Sequence, residues 1–206
     1  MTTPNPWTVV PAIDYEAHMG PAGADQLAPL SQLFQEVYLS AQPDRLLLVG
    51  CSTGNGLEHV DPTITKRAVG IDVNLQYLGI ARQRFFHLGP SLELFCAELE
   101  KFRQPPACFD LIHAALVLEY VQPEVAVRRF AEWLAPGGTC SIVLQLPGGS
   151  APPPANRAMQ IISKAMHFVD PAELARLMAE QGFAKRREKQ VAVKHGKALW
   201  VGVFGK

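Results

Sequence analysis

Long apolar runs are missing from this sequence. The longest, Leu111 to Leu118, is broken by His113 and falls far short of the ~20 residues that cross a bilayer. Met1 to Val10 has no basic stretch followed by an apolar one, so no secretory leader is expected. A charge surplus is missing as well, because 19 basic side chains balance 19 acidic ones. Proteins that live on phosphate backbones usually carry a basic excess, so a nucleic-acid partner is not expected and a small, weakly charged one fits better. Cysteine is scarce. Cys51, Cys96, Cys108 and Cys140 form no C-x-x-C pair, which argues against a zinc knuckle or thioredoxin-type motif, and no metal site is expected. Lying in or beside apolar runs, they read as reduced thiols of a cytoplasmic protein.

What is present suffices for a substantial core, since 48% of the 206 residues are hydrophobic and only 18% charged. After an irregular, proline-rich opening, Leu27, Leu30, Phe34, Val37 and Tyr38 recur at helical spacing, and Gln42-Pro43-Asp44 ends that helix. Arg45 to Val49 is a short apolar run of the kind buried on both faces of a sheet, and it enters the turn Gly50-Cys-Ser-Thr-Gly-Asn-Gly56, after which a short helix is expected. Arg67 to Ile71 reads as a second strand ending at Asp72, followed by a helix capped by Asn74 with Tyr77, Leu78, Ala81 and Phe85 on its buried stripe.

Leu92 to Phe95 and Phe109 to Ala115 read as further strands. Pro123 to Leu134 is a helix stopped by Pro136-Gly-Gly138, and Thr139 to Leu146 a fifth strand. Pro147 to Pro154 is a loop, and Asp170-Pro-Ala-Glu173 opens a helix that ends at Gly182. Arg187 to Lys194 and Ala198 to Phe204 flank the turn His195-Gly-Lys197 and suggest a closing hairpin. Strands alternating with helices in this way give the α/β class, with a mostly parallel sheet covered by helices on both faces.

In such a sheet, ligands bind beyond the carboxyl ends of the strands, where strand order reverses. The glycine-bearing turn at Gly50 lets backbone approach a ligand closely. Asp72 ends the second strand about 20 residues later, where a carboxylate can accept both hydroxyls of a ribose. Glu98, after the third strand, can accept from an exocyclic amine. Neither frame of the turn fits G-x-G-x-x-G: read from Gly50 the later positions are Ser52 and Asn55, and read from Gly54 the third is His59. No Lys-Ser or Lys-Thr pair follows, so a P-loop is excluded too. The pattern suits an adenosine ligand without phosphates.

With these residues in hand, the chain resembles the class I, Rossmann-like methyltransferases that use S-adenosylmethionine. Leu46 to Gly56 resembles their first motif, Gly70-Ile-Asp72 their second and Cys96-Ala-Glu98-Leu99 their third. Phe109-Asp-Leu-Ile112 resembles the opening of their fourth strand and Leu134-Ala-Pro-Gly-Gly138 the turn before the fifth, all in register from about Arg45 to Leu146. The resemblance implies a seven-stranded sheet with an antiparallel C-terminal hairpin in a single domain over 1–206. Residues 1–44 would be an N-terminal arm and helix, 45–146 the cofactor-binding core, and 147–206 the acceptor-side loop, helix and hairpin.

It also implies that Gly50, Cys51, Ser52 and Gly54 hold the methionine portion of the cofactor and Asp72 its ribose. Val73 would pack on adenine, Glu98 with Leu99 would define the adenine pocket, and Ala114 would line the site. The sequence departs from the family at Leu48, where an acidic residue is frequent, and at Ser52, where glycine is.

Methyl transfer from a sulfonium is an in-line displacement promoted mainly by alignment, and a base is needed only when the acceptor must lose a proton. Candidates are Tyr15, Glu16 and His18 in the opening segment, which family members often fold over the cofactor, and Glu119 and Tyr120 after the fourth strand. His113, within an apolar strand, reads as a satisfied core histidine. The Pro147 to Pro154 loop and the Asn156 to Phe168 stretch are expected to shape the acceptor pocket. Lys185-Arg-Arg187 with Lys189 could touch an anionic acceptor, but such a run reads rather as a solvated face. Beside methyl transfer to a small molecule, two alternatives stay open: a cofactor-binding module without catalysis, and a dinucleotide-dependent oxidoreductase, against which the failed glycine pattern argues. Oligomeric state is left open.

Overall fold

The computed structural model describes residues 5–149 and 157–206. Its centre is a seven-stranded sheet formed by β1 (Arg45–Val49), β2 (Arg67–Asp72), β3 (Leu92–Cys96), β4 (Phe109–Ala115), β5 (Leu134–Gln145), β6 (Ala184–Ala192) and β7 (Ala198–Gly205). The order is β3-β2-β1-β4-β5-β7-β6. The first five strands run parallel, while β7 is antiparallel to both β5 and β6. The order in which successive strands join the sheet reverses between β1 and β4, which opens a crevice above Val49 and Ala114.

Period-two alternation divides the apolar residues between the faces. Leu47 and Val49 of β1, with Ile112 and Ala114 of β4 and Ile142 and Leu144 of β5, face α4 (Pro123–Trp133) and α6 (Pro171–Glu180). Leu46 and Leu48, with Leu111, face Phe34, Val37 and Tyr38 of α2 (Leu27–Ala41) and Leu78 of α3 (Leu75–Arg84). Phe130 and Trp133 are fully enclosed. The expected caps form: Asn74 Oδ1 accepts from Gln76 N (3.0 Å) and Tyr77 N (3.4 Å), and Asp170 Oδ1 from Ala172 N (2.9 Å).

Several boundaries differ from those the sequence suggests. The proline-rich opening is not irregular: a 3-10 turn over Pro6–Val9 leads into α1 (Ala12–Met19). Its polar residues conceal the helical period, because Glu16 and His18 face neighbours within the fold. After Gly56 there is only a single 3-10 turn, Leu57–His59, in place of a helix. Strand β5 begins at Leu134, since Ala135 to Gly138 bulge out between the Phe109↔Leu134 and Leu111↔Thr139 pairs. Strand β6 starts three residues earlier than the hairpin reading, at Ala184, and its Lys185 and Lys189 pair with Glu188 and Glu36 on the solvated surface. A further helix, α5 (Arg157–Ala165), packs against the Pro6–Val9 turn. Most of the Pro147 to Pro154 loop, and Asn156, lie outside the described residues.

Candidate active site

A cavity of about 1470 Å³ occupies the crevice at the carboxyl ends of β1, β2, β4 and β5. Its floor begins with the turn after β1, where Gly50 (φ 67°) and Ser52 (φ 47°) both adopt left-handed backbone. The turn is stitched to β2 by Gly50 N and Cys51 N, which donate to Ile71 O at 2.8 and 3.0 Å. Asp72 then takes one N–H on each oxygen, from Ser52 (2.9 Å) and from Asn74 (2.9 Å). The carboxylate is 8% exposed. Burial raises its pKa, and the backbone donors oppose that rise. A carboxylate offers about four lone-pair positions, so these backbone donors leave capacity for a ligand hydroxyl.

Val73, Glu98 and Leu99 continue the wall beyond Asp72. Glu98 accepts from Lys101 Nζ at 2.7 Å on the outer edge. Thus Gly50, Cys51, Ser52, Asp72, Val73, Glu98 and Leu99 meet in one cavity. Gly54 and Ala114 lie outside its wall. Gly54 (φ 99°) is buried against Phe85, whose ring would meet an added Cβ at 2.4 Å, and so serves the packing of the turn. Ala114 points to the α4 face of the sheet, and its neighbours Ala115 and Leu116 line the cavity in its place.

Helix α1 closes one side. Glu16 is held by an ion pair with Arg84 of α3 and by Thr53 Oγ1, which donates at 2.8 Å, so it latches α1 to the glycine turn and does not line the cavity. Tyr15 and His18, one residue before Glu16 and two after it, do line it. Burial pushes the Tyr15 phenol up to about 12, partly offset by a hydrogen bond with the Ser52 side chain. At neutral pH it therefore donates and does not remove protons. Burial and then the Lys197 charge lower the His18 pKa, which favours neutral imidazole.

On the far side stand Glu119 and Tyr120, in the 3-10 turn Leu118–Tyr120 after β4. Glu119 is fully buried. Its Oε1 accepts from Gln145 N at 2.7 Å, and its Oε2 has no hydrogen-bond partner. Burial pushes its carboxyl up to about 7. His113 also lines the cavity, 5% exposed, with Nδ1 unpartnered and its pKa driven down to about 4 by burial. The expectation of a satisfied core histidine is corrected at this nitrogen, since the neighbouring β5 position, Ser141, leaves its own hydroxyl unpaired.

Other lining groups were not visible as candidates in the sequence. Gln26 Nε2 donates to Gln145 Oε1, and Gln145 Nε2 donates to Ala198 O (3.1 Å), making a buried amide pair. Gln145 carries a readable signal, a polar residue closing the apolar run Ile142 to Leu144; Gln26 and Trp7 carry none. From the 157–168 segment, Met159, Ile162, Met166 and Phe168 add apolar wall. Among the described residues no cluster of side chains suited to a metal ion occurs, and no helix is long and apolar enough to cross a membrane.

Residues 46–138 match the family model of a methyltransferase domain. Phosphoethanolamine N-methyltransferase 3 of Arabidopsis thaliana is 27% identical over 140 residues, which is 68% of this chain and 28% of that protein; the chain thus spans little more than a quarter of this relative's length. The fold is shared with the N-methyltransferase NodS of Bradyrhizobium japonicum bound to S-adenosylhomocysteine (TM-score 0.69, 21% identity, 90% of this chain and 89% of that one). It is also shared with phosphoethanolamine N-methyltransferase 2 of Haemonchus contortus bound to phosphomonomethylethanolamine and S-adenosylhomocysteine (TM-score 0.71, 12% identity, 95% and 56%).

Proposed function

We propose that this chain, whose core over residues 46–138 is a methyltransferase domain of class I fold, transfers a methyl group from S-adenosylmethionine to a small-molecule acceptor. The observation that carries the reading is the Asp72 carboxylate, buried in the cavity wall and held by backbone N–H groups, with lone-pair capacity left for a ligand hydroxyl. That arrangement fits the paired hydroxyls of a ribose. The left-handed turn Gly50–Ser52 would pass under the methionine portion, Val73 and Leu99 would enclose the adenine ring, and Glu98 would meet its edge. When bound, the cofactor supplies an electrophilic methyl carbon on a sulfonium sulfur. The chain's own part is to align the acceptor, exclude water through α1 and α5, and manage any proton the acceptor must lose.

Neutral His18 and the Glu119 carboxyl are the groups in the wall suited to taking a proton, whereas the Tyr15 phenol is suited to donating a hydrogen bond. Zero net charge supports an acceptor other than nucleic acid. The free thiols, with Cys96 exposed, support a reducing, cytoplasmic setting.

Thermal shift with S-adenosylhomocysteine and with NADH tests the reading. A ligand at 100 times its dissociation constant stabilises by ~2.7 kcal/mol, or ~5–10 °C for a chain of this size. The Asp72→Asn variant should bind S-adenosylhomocysteine roughly 10- to 100-fold more weakly, the loss expected when hydrogen bonds to a charged group are removed. Stabilisation by NADH alone, or unchanged affinity in Asp72→Asn, would refute the reading.

A further inference from the structure

Trp7, Tyr15, Tyr77 and Tyr120 reach the cavity wall from separate elements: the Pro6–Val9 turn, α1, α3 and the turn after β4. Their rings touch in a chain, Trp7 to Tyr120 at 5.3 Å, Trp7 to Tyr15 at 6.1 Å and Tyr15 to Tyr77 at 5.1 Å between centroids. Burial raises the pKa of all three phenols, so the cluster is uncharged at neutral pH. Aromatic rings brought together this way attract a cation through their quadrupoles. Packing alone would also bury aromatic rings, but it does not account for the carboxyl next to Tyr120. Glu119 immediately precedes Tyr120 in the same turn, and its charge is felt by the Tyr120 phenol.

Glu119 is completely enclosed, and the Gln145 N–H fixes one oxygen while the other is unmatched. Buried polar atoms are ordinarily paired, and leaving one unpaired is costly unless a ligand completes it.

We infer that this wall is the acceptor's nitrogen site: the acceptor is an amine, held as its ammonium beside the Trp7 and Tyr120 rings with an N–H donated to Glu119 Oε2. The inference rests on the methyl-transfer reading above. An alcohol would satisfy one lone pair but leave the carboxylate charge and the rings unmatched, and an anion would be repelled by both. The acceptor N–H proton passes to Glu119, freeing the nitrogen lone pair. That lone pair becomes the bond to the methyl carbon, and the electron pair of the broken C–S bond stays on sulfur. Methylation leaves a cation on nitrogen, which the rings still favour, and the Glu119 proton leaves to water.

Calorimetry with 2-phenylethylamine and 2-phenylethanol on the intact chain, with S-adenosylhomocysteine titrated in a separate arm, tests this. The amine should bind about tenfold tighter than the alcohol. At pH 7 its binding should drive Glu119 to the carboxylate and release about half a proton, read from buffers of different ionisation enthalpy. In Glu119→Gln the proton release should vanish and amine affinity fall about tenfold, with alcohol and S-adenosylhomocysteine affinities unchanged; the latter shows that the variant is folded. Trp7→Leu should weaken the amine several-fold more than the alcohol. Amine binding that is absent or no tighter than alcohol binding, or unchanged in Glu119→Gln, overturns the inference. Failure of the wild type to bind S-adenosylhomocysteine instead overturns the methyl-transfer reading.

Discussion

Replacing Glu119 by glutamine should alter how stability depends on pH, by an amount that the burial of this side chain sets. The carboxyl moves from its ordinary 4.5 up to about 7 on folding. Between those values the folded chain binds the proton that the unfolded chain has released, so stability falls as pH rises through this window. The span of about 2.5 pH units, at 1.36 kcal/mol each, amounts to ~3 kcal/mol.

His113 works in the opposite sense. Its folded pKa of about 4 lies below the ordinary 6.5, so its contribution grows as pH rises through that range and is lost on acidification. The two slopes largely cancel in the wild type, and only the difference between wild type and Glu119→Gln isolates the carboxyl. Below pH 4.5 the two proteins carry a neutral acid and a neutral amide of the same shape, and their unfolding free energies should agree to within ~1 kcal/mol. Near pH 8.5 the variant should be more stable by ~3 kcal/mol, equivalent to ~6–12 °C in Tm. Urea titrations every half pH unit from 4 to 8.5 provide the measurement. A difference that is flat with pH, or that grows on acidification, would refute the placement of an unpaired, enclosed carboxyl at this position.

Two further perturbations separate packing from latching. At Gly54, φ is 99° and an added Cβ would lie 2.4 Å from the Phe85 ring, whereas at helical Gly79 an added Cβ meets nothing within 4 Å. Gly54→Ala should therefore cost ~1–3 kcal/mol in denaturation, and Gly79→Ala should add ~0.5–1 kcal/mol; equal effects would contradict the geometry. Glu16→Ala removes the latch from α1 to Arg84 and Thr53. Because this ion pair is partly exposed, Tm should move by no more than about 4 °C. Amide exchange across Ala12–Met19 should nevertheless accelerate and S-adenosylhomocysteine affinity fall several-fold, and unchanged exchange there would show that α1 is held by its apolar face alone.

The backbone plan of this protein is written locally. Runs such as Leu46 to Val49, and Leu111 to Ala115 apart from His113, are apolar on both sides because both faces of the sheet are covered, and that makes them legible as strands. Gly50 and Asp72 could be picked out because a glycine-bearing turn and a strand-ending carboxylate follow from residue type and spacing alone. The opening helix was hidden because Asp14, Glu16 and His18 interrupt its apolar period, and their partners, among them Arg84 and Thr53, lie dozens of residues away.

The sequence by itself determined the order of the strands, the glycine-bearing turn after the first of them and the acid that ends the second. Only the tertiary structure decided that Asp72 grips Ser52 and Asn74, that Gly54 and Ala114 face away from the cavity, and that Glu119 keeps one oxygen unpaired. The physical reason is that pairing and burial depend on what long-range folding brings against a side chain. A carboxylate carries the same letter whether water, a backbone N–H or nothing at all completes its second oxygen.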